Sequence, residues 1–325
     1  MKDHPFSQFL RILGKGPKSK RSLTIEEAQE AIEMILSGDV TEKQLGAFLL
    51  LMRANGESLD ELMGFVSGLR KHYQLEQTQA GIDLDISAYA GKWRYPPYFL
   101  LSVKLLVESG YKVIVHGDSG QFSDRQYAET FLKDLGFHKA GSLDEAGQYA
   151  FQGSLVYLPL KAFAKELSEI LHLKSEIGVR TVFNTAVKLL NPLNARYSIQ
   201  GIFHKGVENL HHAAFKVNGA DYNLVFKGEG GEPEIRPDAL NKLYFSDKSN
   251  SELQTVNFNS ITERNRRPDE WNTQTLLDVW QGKTDDSYGI KAVVATTAVA
   301  LMLIERLDAE MAIKRAEELW LNRQL

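Results

Sequence analysis

The chain has 325 residues, 43% of them hydrophobic and 25% charged, which excludes wholesale disorder and leaves room for one large core or two unequal domains. It contains no cysteine, so disulfides, thiolate metal sites and cysteine nucleophiles are excluded together, and a reducing, cytoplasmic setting is expected. The net charge of −4 argues mildly against a dedicated nucleic-acid binder, although a whole-chain sum can hide a local basic patch.

Residues 1–16 show no signal-peptide pattern. Loop 14–21 is basic and small-residued and precedes a helix start. Its Lys15, Lys18, Lys20 and Arg21 suit phosphate contacts, with an ordinary solvated loop as the alternative. Three capping boxes follow: Thr24 with Glu27, Thr41 with Gln44, and Ser58 with Glu61. Behind each cap the apolar residues recur at helical spacing, as in Ala28, Ala31, Ile32 and Ile35, and Gly38 and Gly56 supply the stops. Residues 1–76 therefore read as a small helical domain, with the helical segment 161–191 expected to pack into it.

From residue 77 the rhythm changes. Strands are expected at 82–88, 111–116, 154–158, 222–226 and 242–245, and helices at 97–109 and 124–136. Alternating strands and helices imply a mostly parallel central sheet, so residues 77–160 and 192–325 read as a larger α/β domain. The polar stretch 246–273 reads as a surface excursion in which Arg264, Arg266 and Arg267 lie beside Glu263, Asp269 and Glu270. The apolar run 292–304 is too short to cross a bilayer and reads as a buried helix, so no membrane partner is expected.

The segment SGDVTEKQLGAFLLLMRANGESLDELMGF (37–65) resembles the helical domain of the anthranilate phosphoribosyltransferases (glycosyltransferase family 3) and of their relatives, the pyrimidine nucleoside phosphorylases. KVIVHG (112–117), EIGVRTVFN (176–184), Asn191 with Pro192, and Gln200 with Gly201 follow in the same order. The resemblance implies a homodimer formed through helical domains and a donor cleft for phosphoribosyl pyrophosphate. That chemistry needs a glycine-rich turn to crowd the phosphates and carboxylates to hold magnesium. Here the turn reads Ser87-Ala-Tyr-Ala-Gly91 followed by Lys92, Trp93 and Arg94, with the bulky Tyr89 where bare backbone should approach. Of the Lys-His-Gly-Asn-Arg element only His116 and Gly117 remain, and the paired metal carboxylates become Pro233 and Glu234. The histidines of the acceptor pocket fall on Phe163 and Ala164, and its arginine on Lys174. Tyr89, Gly91, Lys92, Arg94, His116, Gly117 and Arg125 instead resemble a bacterial YbiB-type group that keeps the fold and has been linked to nucleic acid.

The expected function is thus a catalytically degenerate homodimer that binds nucleic acid, single-stranded or without sequence preference, and needs no cofactor. The expected contacts are the 14–21 loop together with Lys174, Lys188, Arg196 and Lys205. Arg180 has the residue type of the enzymes and reads as a fold-stabilising partner, and His116 as structural for want of a paired carboxylate. Lys92 and Arg94 could hold a phosphate or merely cover a closed cleft, and Trp93, Tyr95 and Tyr98 could stack on bases or pack. The competing expectation is a transferase with a different donor or acceptor, using Lys92 and Arg94 for phosphate and Glu234 in a reduced magnesium site.

Overall fold

The computed structural model describes residues 3–16, 18–78, 81–264 and 267–325. Four helices open the chain: α1 (Ser7–Gly14), α2 (Ile25–Leu36), α3 (Glu42–Asn55) and α4 (Leu59–His72). All three capping boxes form, each with the cap hydroxyl accepting from the backbone and the Glu or Gln three residues on reaching back. Glu61 does more than cap α4, since its second oxygen accepts the Leu23 amide at 2.9 Å and ties the entry of α2 to the start of α4. The two helices touch so closely at Gly64 that a Cβ there would lie 2.5 Å from the Ile25 carbonyl oxygen.

Phe6, Phe48, Phe65 and Phe183 run through this core with successive ring centroids 5.4, 6.1 and 6.1 Å apart. Phe183 comes from mid-chain, where the helix Lys165–His172 and the short turns through Leu189 bury Leu167, Leu171, Val182 and Leu190 in the same core. A buried arginine also joins the two regions. Arg70, near the end of α4, donates to the Leu190 carbonyl, to the Asn191 carbonyl at 3.0 Å and to Asn194 Oδ1 at 2.5 Å, and burial lowers its pKa to about 10.

The rest of the chain forms one eight-stranded sheet: β1 (Leu84–Ala88), β2 (Val113–Gly117), β3 (His138–Lys139), β4 (Val156–Pro159), β5 (Tyr197–Ile202), β6 (Tyr222–Lys227), β7 (Asn241–Asp247) and β8 (Asn250–Phe258). The order is β3-β4-β2-β1-β5-β6-β7-β8, with the first six strands parallel and the β6–β7 and β7–β8 pairs antiparallel. Connections leave β1 toward one edge and β5 toward the other, so a crevice opens beyond the carboxyl ends of these two strands. The helix Ser287–Ile304 has the length and hydropathy of a membrane span, but 78% of it is buried against the sheet and its neighbours, as a core helix is.

Two expectations fail locally. The stretch 124–136 is not one helix: Gln126 pairs with Lys92 in an isolated antiparallel bridge, and only the single turns Ala128–Thr130 and Leu132–Leu135 are helical. The excursion 246–273 contains β8, an edge strand exposed along nearly its whole length, which lacks the apolar alternation that marks a half-buried strand. Arg266 lies outside the described residues.

Candidate functional site

The loop after β1 is where a phosphoribosyl donor would need free backbone amides. Instead, Ala90 N and Gly91 N donate to one oxygen of Glu232 at 3.0 and 2.5 Å. Gly91 sits at φ +70° against Arg125 and Tyr127, a conformation and a space that suit glycine. Lys92 is only 1% exposed, and its ammonium lies 2.5 Å from Glu234 and 2.6 Å from Glu229. Burial lowers the Lys92 pKa, but the charges of Glu234 and Glu229 outweigh it and leave it raised. Two carboxylates on one cation leave excess negative charge in a dry site. Burial, partly offset by Lys92, pushes Glu234 up to about 7.

Neither expected use of Lys92 as a phosphate ligand fits this geometry, because it faces inward and closes the loop. Glu234 is likewise engaged, by Lys92 and by the Phe99 amide at 2.9 Å. With the loop amides and both groups already bonded internally, these residues do not fit a magnesium pyrophosphate.

His116, on β2, does have a carboxylate. Its Nε2 lies 3.3 Å from Asp85 Oδ1, and its Nδ1 is 2.8 Å from the Tyr89 hydroxyl. Asp85 in turn accepts from Ser198 at 3.1 Å, and Ser198 accepts from Gln200 at 2.6 Å. All five residues are buried; the Tyr89–His116 bond ties the end of β1 to β2, and the Ser198–Asp85 bond ties β5 to β1, beneath the crevice. Gly117 belongs to the same floor, since a Cβ there would lie 2.1 Å from the Ala88 carbonyl oxygen.

The mouth of the crevice is built differently. Arg125 lies over Trp93 at 4.1 Å and over Phe122 at 4.2 Å; Lys174 lies over Phe122 at 4.0 Å; Arg180 lies over Phe122 at 4.8 Å and Phe203 at 5.9 Å; and Arg94 lies over Trp93 at 4.9 Å. These seven side chains are half-buried. Among the described residues none of the four cations has a carboxylate at ion-pair distance; Arg125 and Lys174 donate only to the carbonyls of Ala90 and Gln121. Burial lowers the pKa of Arg180, and the like charges of Arg125 and Arg53 lower it further. Among the described residues no carboxylate pairs with Arg180, which packs on Phe122 and Phe203 and lines the crevice.

Behind this rim a cavity of about 140 Å³ runs between α3 and the strand ends. Lys188 lies at its base and is buried, donating to the carbonyls of Gly201 at 2.5 Å and Gly231 at 2.9 Å. Burial lowers its pKa to about 8. Lys188 is thus part of the floor and is not available to an exposed strand of phosphates.

The remaining expected contacts scatter. Lys15, Lys18 and Lys205 are exposed, and Lys20 donates to Asn55 at 2.7 Å. Arg21 is held by both oxygens of Glu27 at 2.6 and 2.7 Å, so it is already neutralised. Arg196 precedes β5 and lies 3.5 Å from Asp221, at the amino end of the parallel strands and away from the crevice. Residue pattern alone did not single out Phe122, Phe203 and Arg53. Each is an isolated ring or charge until the fold gathers them. Tyr95 and Tyr98 are buried and stack or tilt against Tyr288, so they pack.

Residues 7–73 match the helical bundle domain of a glycosyl transferase family, and residues 108–322 match its a/b domain. The anthranilate phosphoribosyltransferase of Sulfurisphaera tokodaii is 25% identical over 297 residues, covering 88% of this chain and 84% of that one. That of Shouchella clausii is 27% identical over 214 residues, spanning 66% of this chain and 62% of the relative's length. Among solved structures, anthranilate phosphoribosyltransferase from Thermus thermophilus aligns with a TM-score of 0.76 at 20% identity, over 98% of this chain and 94% of that one. The Saccharomyces cerevisiae enzyme in complex with PRPP and Mg aligns at 0.74 and 16% identity, over 98% and 94%. At such identities these structures speak for the fold alone. With both of its domains matched, the chain belongs to this glycosyl transferase family and has the anthranilate phosphoribosyltransferase-like fold of a helical bundle beside a mostly parallel α/β domain.

Proposed function

We propose that this protein binds single-stranded nucleic acid at the mouth of the interdomain crevice, as a homodimer and without phosphoribosyl transfer. The observation that carries this reading is the set of four cations interleaved with three aromatic rings and, among the described residues, without a carboxylate at ion-pair distance. Phosphates supply the missing negative charge, and bases supply π-faces for the rings, each stacked base contributing about 1–3 kcal/mol. Single strands suit such a surface better than duplex, whose bases are already stacked. The relevant charge is local, so the net charge of −4 does not oppose it.

A fluorescence-anisotropy titration of a labelled single-stranded oligonucleotide at low and physiological salt tests the reading. Binding should weaken with salt at a log–log slope of about −0.7 per phosphate contacted. Replacing Arg125, Lys174 and Arg180 with Gln should make the slope shallower by roughly 2, three contacts at that value. An unchanged slope in the triple variant moves the site elsewhere, and no binding at low salt overturns the reading.

One observation favours a second reading, transfer to or from another donor or acceptor: the relatives named above are anthranilate phosphoribosyltransferases, and the crevice persists here as a cavity. That reading requires phosphoribosyl pyrophosphate with magnesium to raise the melting temperature. The internal bonds of Lys92, Glu232 and Glu234 lead us to expect no shift.

A further inference from the structure

Behind the aromatic rim, the cavity has the size and chemistry of an anion pocket. Its volume of about 140 Å³ equals that of roughly four or five waters, enough for the five heavy atoms of a phosphate group and far too little for a nucleotide of about twenty. Two of the lining residues are buried basic groups. Lys188 is anchored on two carbonyls, and His211 is 2% exposed and kept neutral, burial and the nearby Lys188 charge lowering its pKa to about 3. A whole nucleotide exceeds such a pocket, but a terminal phosphate fits it.

The lining offers donors without acceptors. Gln121 is 8% exposed, and its Nε2 has no partner, although its Oε1 accepts from Asn184 at 2.8 Å. Thr181 is 6% exposed, and its hydroxyl is also unpartnered. Two such unpartnered groups, on residues that line one cavity together with Arg180, leave hydrogen-bonding capacity that an anion can fill. The lining carries three cations, Arg53, Arg180 and Lys188, against one carboxylate, Glu57, which accepts from Thr185 at 3.2 Å. An oxyanion with several acceptor oxygens answers both the charge and the orphan donors.

We propose that this cavity takes a phosphomonoester, so that the crevice prefers the phosphorylated end of a nucleic-acid strand to its interior. The proposal rests on the nucleic-acid reading for its source of phosphate and goes beyond it in naming the end of the strand. An internal phosphodiester carries a sugar on both sides, and phosphate and sugars together exceed a cavity of this size. A terminal phosphate fits, with the adjoining bases lying outward on Phe203, Phe122 and Trp93.

The test uses the full-length protein and a set of labelled oligonucleotides of one sequence bearing a 5′-phosphate, a 3′-phosphate or hydroxyls at both ends. A free mononucleotide and inorganic phosphate serve as competitors. A phosphorylated end should bind at least tenfold more tightly than the hydroxyl-ended strand. The ratio should collapse toward one in Gln121→Leu and, independently, in the nearly isosteric Thr181→Val, which removes only a hydroxyl. Equal affinity for all three strands overturns the end preference while leaving the nucleic-acid reading intact. A mononucleotide binding as tightly as the phosphorylated strand overturns the strand as the source. Absence of binding by any strand, with no competition to measure, overturns the proposal together with the reading beneath it.

Discussion

At the loop after β1, a buried ammonium sits between two carboxylates and a third carboxylate caps the backbone amides; at the mouth of the crevice, four cations share three rings, and among the described residues none of them has a carboxylate at ion-pair distance. Sequence position does not separate them, since Lys92 and Arg94 are only two positions apart and fall in different regions. The difference is in their partners. Charges that the fold neutralises hold the fold together, and charges that it gathers and leaves unneutralised call for something from outside.

The comparison can be broken most forcefully at Lys92. Lys92→Met leaves Glu229 and Glu234 buried without their cation and should cost about 3–5 kcal/mol in urea-induced unfolding, with oligonucleotide affinity nearly unchanged. Wild-type stability combined with weakened binding would place Lys92 in the ligand site and erase the distinction. A subtler probe is Glu234, whose carboxyl titrates near 7 when folded and near 4.5 as the unperturbed value. Between those values the folded state holds a proton that the unfolded state has released, so this group's contribution makes stability fall as pH rises from about 4.5 to 7. Thermal melts across that window should show a slope of at most about 1.4 kcal/mol per pH unit from this group, flattened in Glu234→Gln. The smallest effect is expected at the amino-terminal loop. Replacing Lys15 and Lys18 with Gln should change affinity at physiological salt by only about twofold, because exposed flexible charges are strongly screened. A tenfold loss in the same anisotropy assay would bring that loop into the site.

Much of the fold is written in local pattern. Three capping boxes, period-2 strands and a long apolar helix need only neighbours in sequence to announce themselves, and all of them form. β8 escaped notice because neither of its faces is consistently buried, which removes the alternation on which strand recognition depends. The stretch around Gln126 escaped because its conformation is set by a bridge to Lys92 and not by its own apolar spacing. The site was legible as residue types and illegible as partnerships: the bond from Lys92 to Glu234 spans 142 positions, and the approach of Asp85 to His116 depends on strand register. Register also separates Arg196 from the other basic residues, since it precedes a strand whose far end forms the crevice.

One consequence of the Glu232 contact concerns competition. A carboxylate delivered by its own backbone is present at the loop amides at an effective concentration that no dissolved metabolite matches, and it never diffuses away. Any free anion seeking those amides must first evict a tethered occupant, stranding it in a dry interior beside Lys188 and Lys92. The loop therefore behaves as though permanently liganded, its conformation set at folding and indifferent to the nucleotide supply of the cell.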